Sequence, residues 1–230
     1  MRVFREVTRV TLFCAAGSVL AACDGSGTQP VETEGAGHEA METLPVQFRI
    51  AFMSGHVEAG LALYRAGAPD QAARHLLHPV SETHAAERAG IDALGFNPDI
   101  FRQVSTALDE GRPASEIGPM LAQAEANLGL LQDNAGGDPR TIIAYLMDVT
   151  AEEYGIGVTD GEITDPGEYQ DAFGFAVVAA RLARHINDDD LIAASDALVA
   201  LWPDGGPLAS STPAPATSVS DAISAVRAAL

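Results

Sequence analysis

Histidines and carboxylates are concentrated in one short part of the chain. Four of the six histidines lie between residues 56 and 84, namely His56, His75, His78 and His84. Glu82 and Glu87 flank the last of them. Imidazole nitrogens and carboxylate oxygens are common protein ligands of transition metals, and histidine also titrates near neutral pH. The segment therefore predicts a metal or pH-linked site. The alternative is that these are polar residues whose hydrogen bonds satisfy backbone groups at helix ends.

The strongest of these signals is a polar pair on a predicted helix that begins near Val80. Its apolar stripe runs through Val80, His84, Glu87, Ile91 and Leu94. Residues three apart share a helical face, so His84 and Glu87 are expected to face the core together. A buried carboxylate is costly without a partner. That partner is the histidine, an arginine such as Arg88 or Arg49, or a metal ion.

A histidine and a glutamate three residues apart offer one nitrogen and one oxygen to a single ion, as in metal sites of helical bundles. The candidate metal ligands of this region are His84, Glu87, His56, His78 and Glu82. The structural alternative is a salt link at Glu87, with His78 as a helix cap before Pro79.

A second group of chemically capable residues follows residue 151. Acidic and tyrosine side chains recur as Glu152-Glu153-Tyr154 and as Glu168-Tyr169 with Asp171. Carboxylate and phenolate oxygens are hard ligands that suit ferric iron. Tyr154, Glu168 and Tyr169 are therefore candidate ligands. The structural alternative is that Glu168 caps a helix and that Tyr169 is a half-buried aromatic residue at its start.

The spacing of this second group resembles a known family. The segment reads Glu153-Tyr154-x-x-x-Val158-x-x-Gly161-x-Ile163, followed by Glu168-Tyr169-x-Asp171-x-x-x-Phe175. It is similar to the periplasmic N-terminal region of bacterial high-affinity iron permeases of the FTR1 type. The membrane-embedded Arg-Glu-x-x-Glu motif of that family is absent here. The resemblance implies a detached relative of the soluble part, which acts beside an inner-membrane iron permease.

The N-terminus predicts export and lipid attachment. Arg2, Arg5 and Arg9 precede a short apolar run, 10–22, that ends in Leu-Ala-Ala before Cys23. A run of this length reads as a signal peptide rather than as a spanning helix. The ending resembles the bacterial lipobox, in which the cysteine is lipidated; the alternative is an ordinary signal peptide. We expect a periplasmic protein whose only membrane contact is a lipid on Cys23, in the inner or outer membrane.

Composition limits the partners. Residues 1–22 contain three arginines and one glutamate, so the rest of the chain keeps 10 basic and 31 acidic residues, a net charge of −21, with no lysine. Such a surface repels nucleic acid and anionic lipid head groups. After signal removal and lipidation no thiol remains, which excludes a thiolate nucleophile, a cysteine-based metal site and a disulfide.

The elements that must position these residues are predicted to be helical. Alanine is abundant and aromatic residues make up 6% of the chain, which favours close-packed helices. Apolar residues recur at three- and four-residue steps, first as Val46, Ile50, Met53, Val57, Leu61 and Tyr64. Polar residues before prolines mark helix starts at Asn97, Asp138 and Asp165. The fold class is an all-α bundle of six to eight helices in two halves, with a break near 134–138.

The predicted organisation has five parts. They are a signal peptide at 1–22, a flexible tether at 23–43, a helical bundle at 44–204, a Pro/Ser/Ala-rich linker at 205–217 and a short amphipathic helix at 218–230.

The sequence contains no nucleophile motif, phosphate loop or nucleotide fingerprint, so an enzyme is not predicted. It favours a lipoprotein accessory to iron uptake, which binds a metal ion, with iron as the candidate, or docks on a permease. The alternative is a metal-free acidic helical adaptor or scaffold of the cell envelope.

Overall fold

The computed structural model describes residues 44–81, 85 and 87–230. Several predictions fall outside these residues: the signal peptide, the tether, the lipidated Cys23 and the candidate ligands Glu82 and His84. The bounds of the helices are α1 (Val46–Arg65), α2 (Pro69–Leu77), α3 (Pro98–Asp109), α4 (Ala114–Ala135), α5 (Pro139–Gly157), α6 (Pro166–Ile186), α7 (Asp189–Val199) and α8 (Ala216–Ala229). Short 3-10 helices span His78–Val80 and Asp92–Leu94, and two strands form β1 (Val158–Thr159) and β2 (Glu162–Ile163).

The all-α class is confirmed, and three of the predicted helix starts are formed as the sequence indicates. Asn97 caps α3, Asp138 caps α5 and Asp165 caps α6, each accepting a hydrogen bond from a backbone N–H of the first turn. Each cap is followed by a proline, whose missing N–H costs nothing in the first turn. The short helix α2 likewise begins with a proline, Pro69, in its first turn.

Helix α1 is central to the fold. The sequence predicted one apolar face, but residues on nearly every side of α1 are buried. Ala51 and Phe52 join a core formed with α5, α6, α7 and α8, whereas Ile50 and Met53 join a second core formed with α2, α3 and α4. A helix surrounded on all sides has few positions for polar residues, so the polar ones that it does bury require a specific partner.

The C-terminal helix belongs to the bundle. Helix α8 begins at Ala216 and buries Val219, Ile223 and Val226 against α5 and α7. These residues share a core with Trp202, which precedes the Pro/Ser/Ala-rich segment. Helix α8 therefore completes the hydrophobic core of α5, α6 and α7.

The helix predicted from Val80 to Leu94 is not formed among the described residues of that segment. Pro79 lies in a 3-10 turn, and Gly90 and Gly95 adopt φ angles of 76° and 98°. A left-handed residue ends a right-handed helix, and glycine adopts this conformation without steric cost. Even so, Val80, Glu87 and Ile91 of the predicted stripe are buried.

A short antiparallel hairpin connects α5 to α6, where the sequence reasoning predicted no strand. Val158 pairs with Ile163 and Thr159 pairs with Glu162. The two turn residues, Asp160 and Gly161, have φ angles of 53° and 81°. Positive φ at both positions is the requirement of a type I′ turn, and Asp-Gly is one of its preferred sequences. The Asp-Gly pair was the signal available in the sequence.

Two glycines let α1 and α6 cross at very short range. A Cβ atom added to Gly174 would lie 2.0 Å from the carbonyl oxygen of Gly55, and one added to Gly55 would lie 2.0 Å from the ring of Phe175. A larger residue at Gly174 would require α1 and α6 to move apart, and one at Gly55 would require the Phe175 ring to move. His56 follows Gly55 directly, so this crossing controls how closely its side chain approaches α6.

No described helix combines the length and the apolar character needed to cross a membrane.

Replacing Gly174 with alanine tests this crossing. The new methyl group would meet backbone atoms of α1, so we expect the free energy of unfolding to fall by roughly 1–3 kcal/mol. Gly129→Ala is the matched control, because it lies within α4 with nothing within 4 Å of its added Cβ. At that site alanine should stabilise by about 0.5–1 kcal/mol. Urea unfolding of both variants measures the effect. Equal changes in the two would contradict a close helix crossing.

Candidate metal centre

Two histidines from different helices meet one buried aspartate. His56 Nδ1 lies 2.7 Å from Asp171 Oδ1, and His75 Nδ1 lies 2.9 Å from the same oxygen. All three residues are 3% exposed. Such burial is unfavourable for a charged group unless its partners compensate for the lost hydration. At these distances the three side chains contact one another instead of solvent.

Tight helix packing brings these side chains together. Asp171 lies one turn before Gly174 on α6, and His56 follows Gly55 on α1, so the glycine crossing draws the two side chains together. On the other side of α1, a Cβ at Gly60 would lie 2.9 Å from the side chain of Leu76 and 3.3 Å from that of His75. The absence of a side chain at Gly60 therefore lets the last turn of α2 bring His75 against α1.

His78 completes the cluster. Its Nδ1 lies 2.9 Å from His56 Nδ1, and the two ring centroids are 4.4 Å apart. The cluster offers four potential ligand atoms, one from each of His56, His75, His78 and Asp171. Each of these atoms lies within 4.8 Å of the other three. Four ligands about 2.1 Å from a tetrahedral metal ion would be about 3.4 Å from one another. The cluster is thus compact enough for one ion to contact all four donors.

The second ring nitrogen of His75 has its own buried contact. His75 Nε2 lies 2.7 Å from Gln170 Oε1, and Gln170 Nε2 donates to Gln71 Oε1 at 2.5 Å. Metal-binding histidines generally donate the N–H of the nitrogen that does not bind the ion to a carbonyl or carboxylate oxygen. His75 therefore has the surroundings typical of a metal ligand.

Further carboxylates surround the histidines. Glu153 and Glu168 lie within hydrogen-bonding contact of each other. The pKa of Glu153 is raised far above its ordinary range. The largest cause is burial, followed by the hydrogen bond to Glu168, the charge of Glu168 and the charge of Asp171. Glu87, which is 3% exposed, also lies close enough for its charge to raise the pKa of His56. The region concentrates negative charge where a cation would be stabilised.

The protonation states of His56 and Asp171 depend on one another. Burial alone lowers the pKa of His56, but the charge of Asp171 and its hydrogen bond, with the charges of Glu87 and Glu168, raise it above 6.5 overall. Burial alone raises the pKa of Asp171, but His56 and His75 lower it well below its ordinary value of 3.8. In the absence of a metal ion, the ion pair is therefore the favoured state of this cluster.

The structure brings together many, but not all, of the side chains that the sequence indicated. His56 and His78 belong to the cluster, and Glu87 and Glu168 lie near it. Asp171 is the common partner of two histidines, although the sequence reasoning named it only as part of the permease-like motif. Arg49, considered as a partner of Glu87, donates hydrogen bonds to the backbone carbonyls of Leu44 and Ala89.

The tyrosines lie elsewhere, in the apolar core. Tyr154 donates its hydroxyl to the carbonyl of Ala214 at 2.6 Å, and its ring packs against Trp202 and Tyr169. Burial raises the pKa of Tyr154 to about 12 and also raises that of Tyr169. Tyr169 and Asp171 are two residues apart on α6, so they point to nearly opposite sides of the helix. Both phenols are packed in the core, and Tyr169 is fully buried rather than half-buried as the structural alternative expected.

A signal for Asp171 was present in the sequence. Asp171 falls within a predicted helix among Tyr169, Ala172 and Phe175, all of which are buried. A carboxylate at a core position needs a charged or metal partner. The histidines that supply it are 96 and 115 residues away along the chain. Only the tertiary fold, which brings His56 on α1 and His75 on α2 to Asp171 on α6, identifies them as that partner.

Comparison with known proteins links the C-terminal part of the bundle to iron transport. Residues 140–229 match the family model of the iron permease-associated 4-helix bundle domain. The match begins at Arg140 in α5 and continues through α6, α7 and α8. This relation to iron permeases was predicted from the spacing of Glu153, Glu168 and their neighbours. No curated protein and no solved structure is significantly similar to the chain.

The cluster is composed of residues from inside and outside the matched segment. The matched residues supply Asp171, Gln170 and the Glu153–Glu168 pair, whereas the three histidines come from α1, α2 and the turn that follows α2. The permease-associated segment therefore provides oxygen donors, and the helices that precede it provide nitrogen donors.

Replacing Asp171 with asparagine should destabilise the metal-free protein in a pH-dependent way. The raised pKa of His56 contributes stability below about pH 6.5 that is lost as the pH rises through the folded value. The lowered pKa of Asp171 contributes stability above about pH 4 that is lost as the pH falls. The loss on substitution should thus be largest between these limits, roughly 3 kcal/mol, and smaller at pH 9.

Urea unfolding at pH 5.5 and pH 9 measures this difference. Asp148→Asn is the control, because Asp148 pairs with Arg227 on the surface and exposed pairs contribute little. A loss that is the same at both pH values in Asp171→Asn would contradict the coupling of His56 to Asp171.

Proposed function

We propose that this protein binds one transition-metal ion at His56, His75, His78 and Asp171, and that it acts in iron uptake beside an inner-membrane iron permease. The observation that carries the proposal is the convergence of four donor atoms within 4.8 Å of one another. Three of the four residues are almost fully buried. A preorganised arrangement of this kind lowers the cost of ordering ligands around an ion.

The donor set supports a choice of ion. Three imidazoles and one carboxylate are a nitrogen-rich set, and imidazole suits iron, zinc, copper and nickel. Ferric iron prefers hard oxygen ligands, and the tyrosines that could have supplied them are engaged in the core. Together with the permease-associated domain, this donor set favours ferrous iron as the cargo.

The charges support binding of a cation rather than of a proton alone. Asp171, Glu87 and Glu168 contribute negative charge around the three histidines, whereas the raised pKa of Glu153 keeps that residue protonated near neutral pH. A divalent ion at the cluster would offset that charge and would replace the protons now shared among the donors. His78 is only partly buried, so the cluster reaches the surface at its ring.

Thermal unfolding with added metal tests the site. Wild-type protein should be stabilised by about 2.7 kcal/mol when Fe(II), kept anaerobic, is present at a hundredfold its dissociation constant. His78→Leu should lose most of this stabilisation and remain folded, because His78 is the least buried of the four residues. His185→Leu is the control, since His185 is exposed on α6 and distant in sequence from the cluster.

A wild-type midpoint unchanged by Fe(II), Fe(III), Zn(II) and Cu(II) would overturn the metal proposal and leave the metal-free acidic scaffold. Equal loss of stabilisation in His78→Leu and His185→Leu would place the binding elsewhere. Fe(III) should produce no tyrosinate charge-transfer absorption, either in wild type or in Tyr169→Phe.

The proposed location is the periplasmic face of a membrane, through a lipid on Cys23. We expect Cys23→Ala to move the protein from the membrane fraction into the soluble periplasm, or to leave its signal peptide uncleaved. Iron uptake by the cells should then fall, because the protein is no longer held near the permease. Unchanged membrane association would contradict the anchor. Release without any loss of uptake would contradict action beside the permease.

A further inference from the structure

Gln170 is a buried glutamine with both ends of its amide engaged. It is 1% exposed, its Oε1 lies 2.7 Å from His75 Nε2, and its Nε2 donates to Gln71 Oε1 at 2.5 Å. An amide oxygen can only accept, so His75 Nε2 carries the proton in this contact. Gln71 fixes the direction of the Gln170 amide, because its oxygen accepts from the Gln170 amide nitrogen.

The other nitrogen of His75 faces a competing acceptor. His75 Nδ1 lies 2.9 Å from Asp171 Oδ1, and a carboxylate also favours a proton on the nitrogen that faces it. A neutral imidazole carries one N–H only. A proton on Nδ1 would occupy the lone pair that a metal ion requires, whereas a proton on Nε2 leaves Nδ1 available.

We infer that Gln170 is a positioning residue that holds the proton of His75 on Nε2 and so directs the Nδ1 lone pair to the ion. This inference rests on the proposed metal site. Gln170 and Asp171 are neighbours on α6, so one helix presents an acceptor to each nitrogen of the same ring. Gln71, on α2 with His75, ties the amide to the helix that carries the histidine.

This arrangement assigns different tasks to the two residues of α6. Asp171 contributes an oxygen to the ion, and Gln170 determines which nitrogen of His75 binds beside that oxygen. Gln170 also couples the matched permease-associated segment to α2, which lies outside the match. Loss of such an outer contact typically lowers metal affinity by about 10- to 100-fold.

Two substitutions at Gln170 separate positioning from packing. Gln170→Leu keeps the volume and removes the acceptor, and we expect its Zn(II) affinity to fall by about 10- to 100-fold. Gln170→Glu keeps an oxygen that accepts from Nε2–H, and we expect it to retain most of the affinity. Gln132→Leu is the control, because Gln132 also bonds a buried side chain, Ser54 Oγ at 3.0 Å, which lies two residues from His56 and on nearly the opposite side of α1.

The imidazole nitrogens of the full-length protein, observed by ¹⁵N NMR with and without Zn(II), supply a readout that packing would not move. The Zn(II)-bound wild type should show His75 with a protonated, exchange-protected Nε2 and a bare Nδ1. Gln170→Leu should lose that protection and Gln170→Glu should keep it. A Gln170→Leu variant with the affinity and His75 signals of wild type would overturn the inference.

The outcome stays informative if the metal proposal itself fails. Absence of Zn(II) binding in wild type would reject the site, yet the metal-free spectra would still decide the role of Gln170. A protected Nε2–H at His75 that is lost only in Gln170→Leu would support the positioning role. The same His75 signals in all variants would overturn it.

Discussion

The close crossing of α1 and α6 at Gly55 and Gly174 is the constraint on which the rest of the structure depends. At this crossing the backbone carbonyl of Gly55 in α1 occupies the space that a side chain at position 174 of α6 would need. The crossing joins the two hydrophobic cores, because α1 contributes to both. It also places His56 Nδ1 2.7 Å from Asp171 Oδ1 in the candidate metal cluster. Packing and chemistry therefore share one geometric requirement, and a change that loosens it should weaken both.

The cluster illustrates how a bundle can bury polar groups at acceptable cost. Asp171 would be strongly unfavourable in the core by itself, but His56 and His75 lie against it and lower its pKa. The histidines gain in turn a buried anion, and Gln170 satisfies the outer nitrogen of His75. Glu87 and Glu168 leave an excess of negative charge beside them. A bound cation would compensate for this excess, which supports the metal site that we propose over a static ion pair.

Local features were predictable from the sequence, whereas the assembly of the site was not. Caps at Asn97, Asp138 and Asp165 depend on neighbouring residues, and the structure confirms them. The helix predicted from Val80 to Leu94 is not formed among its described residues, because left-handed Gly90 and Gly95 outweigh an apolar periodicity. His56 and His78 were recognised as candidates by their type and their clustering. Asp171, the partner of His56 and His75, is brought to them by packing between distant segments, and periodicity contains no information about which distant faces meet.

Anomalous X-ray scattering from crystals of the Fe(II)-loaded protein, collected at the iron edge, tests the central claim most directly. Binding at the proposed site requires one strong peak enclosed by His56 Nδ1, His75 Nδ1, His78 and Asp171 Oδ1. The metal–ligand distances should be about 2.0–2.2 Å. His75 Nε2 should remain in contact with Gln170 in the loaded state. A peak elsewhere in the molecule, or iron-soaked crystals without a peak while the four side chains keep their mutual hydrogen bonds, would contradict it.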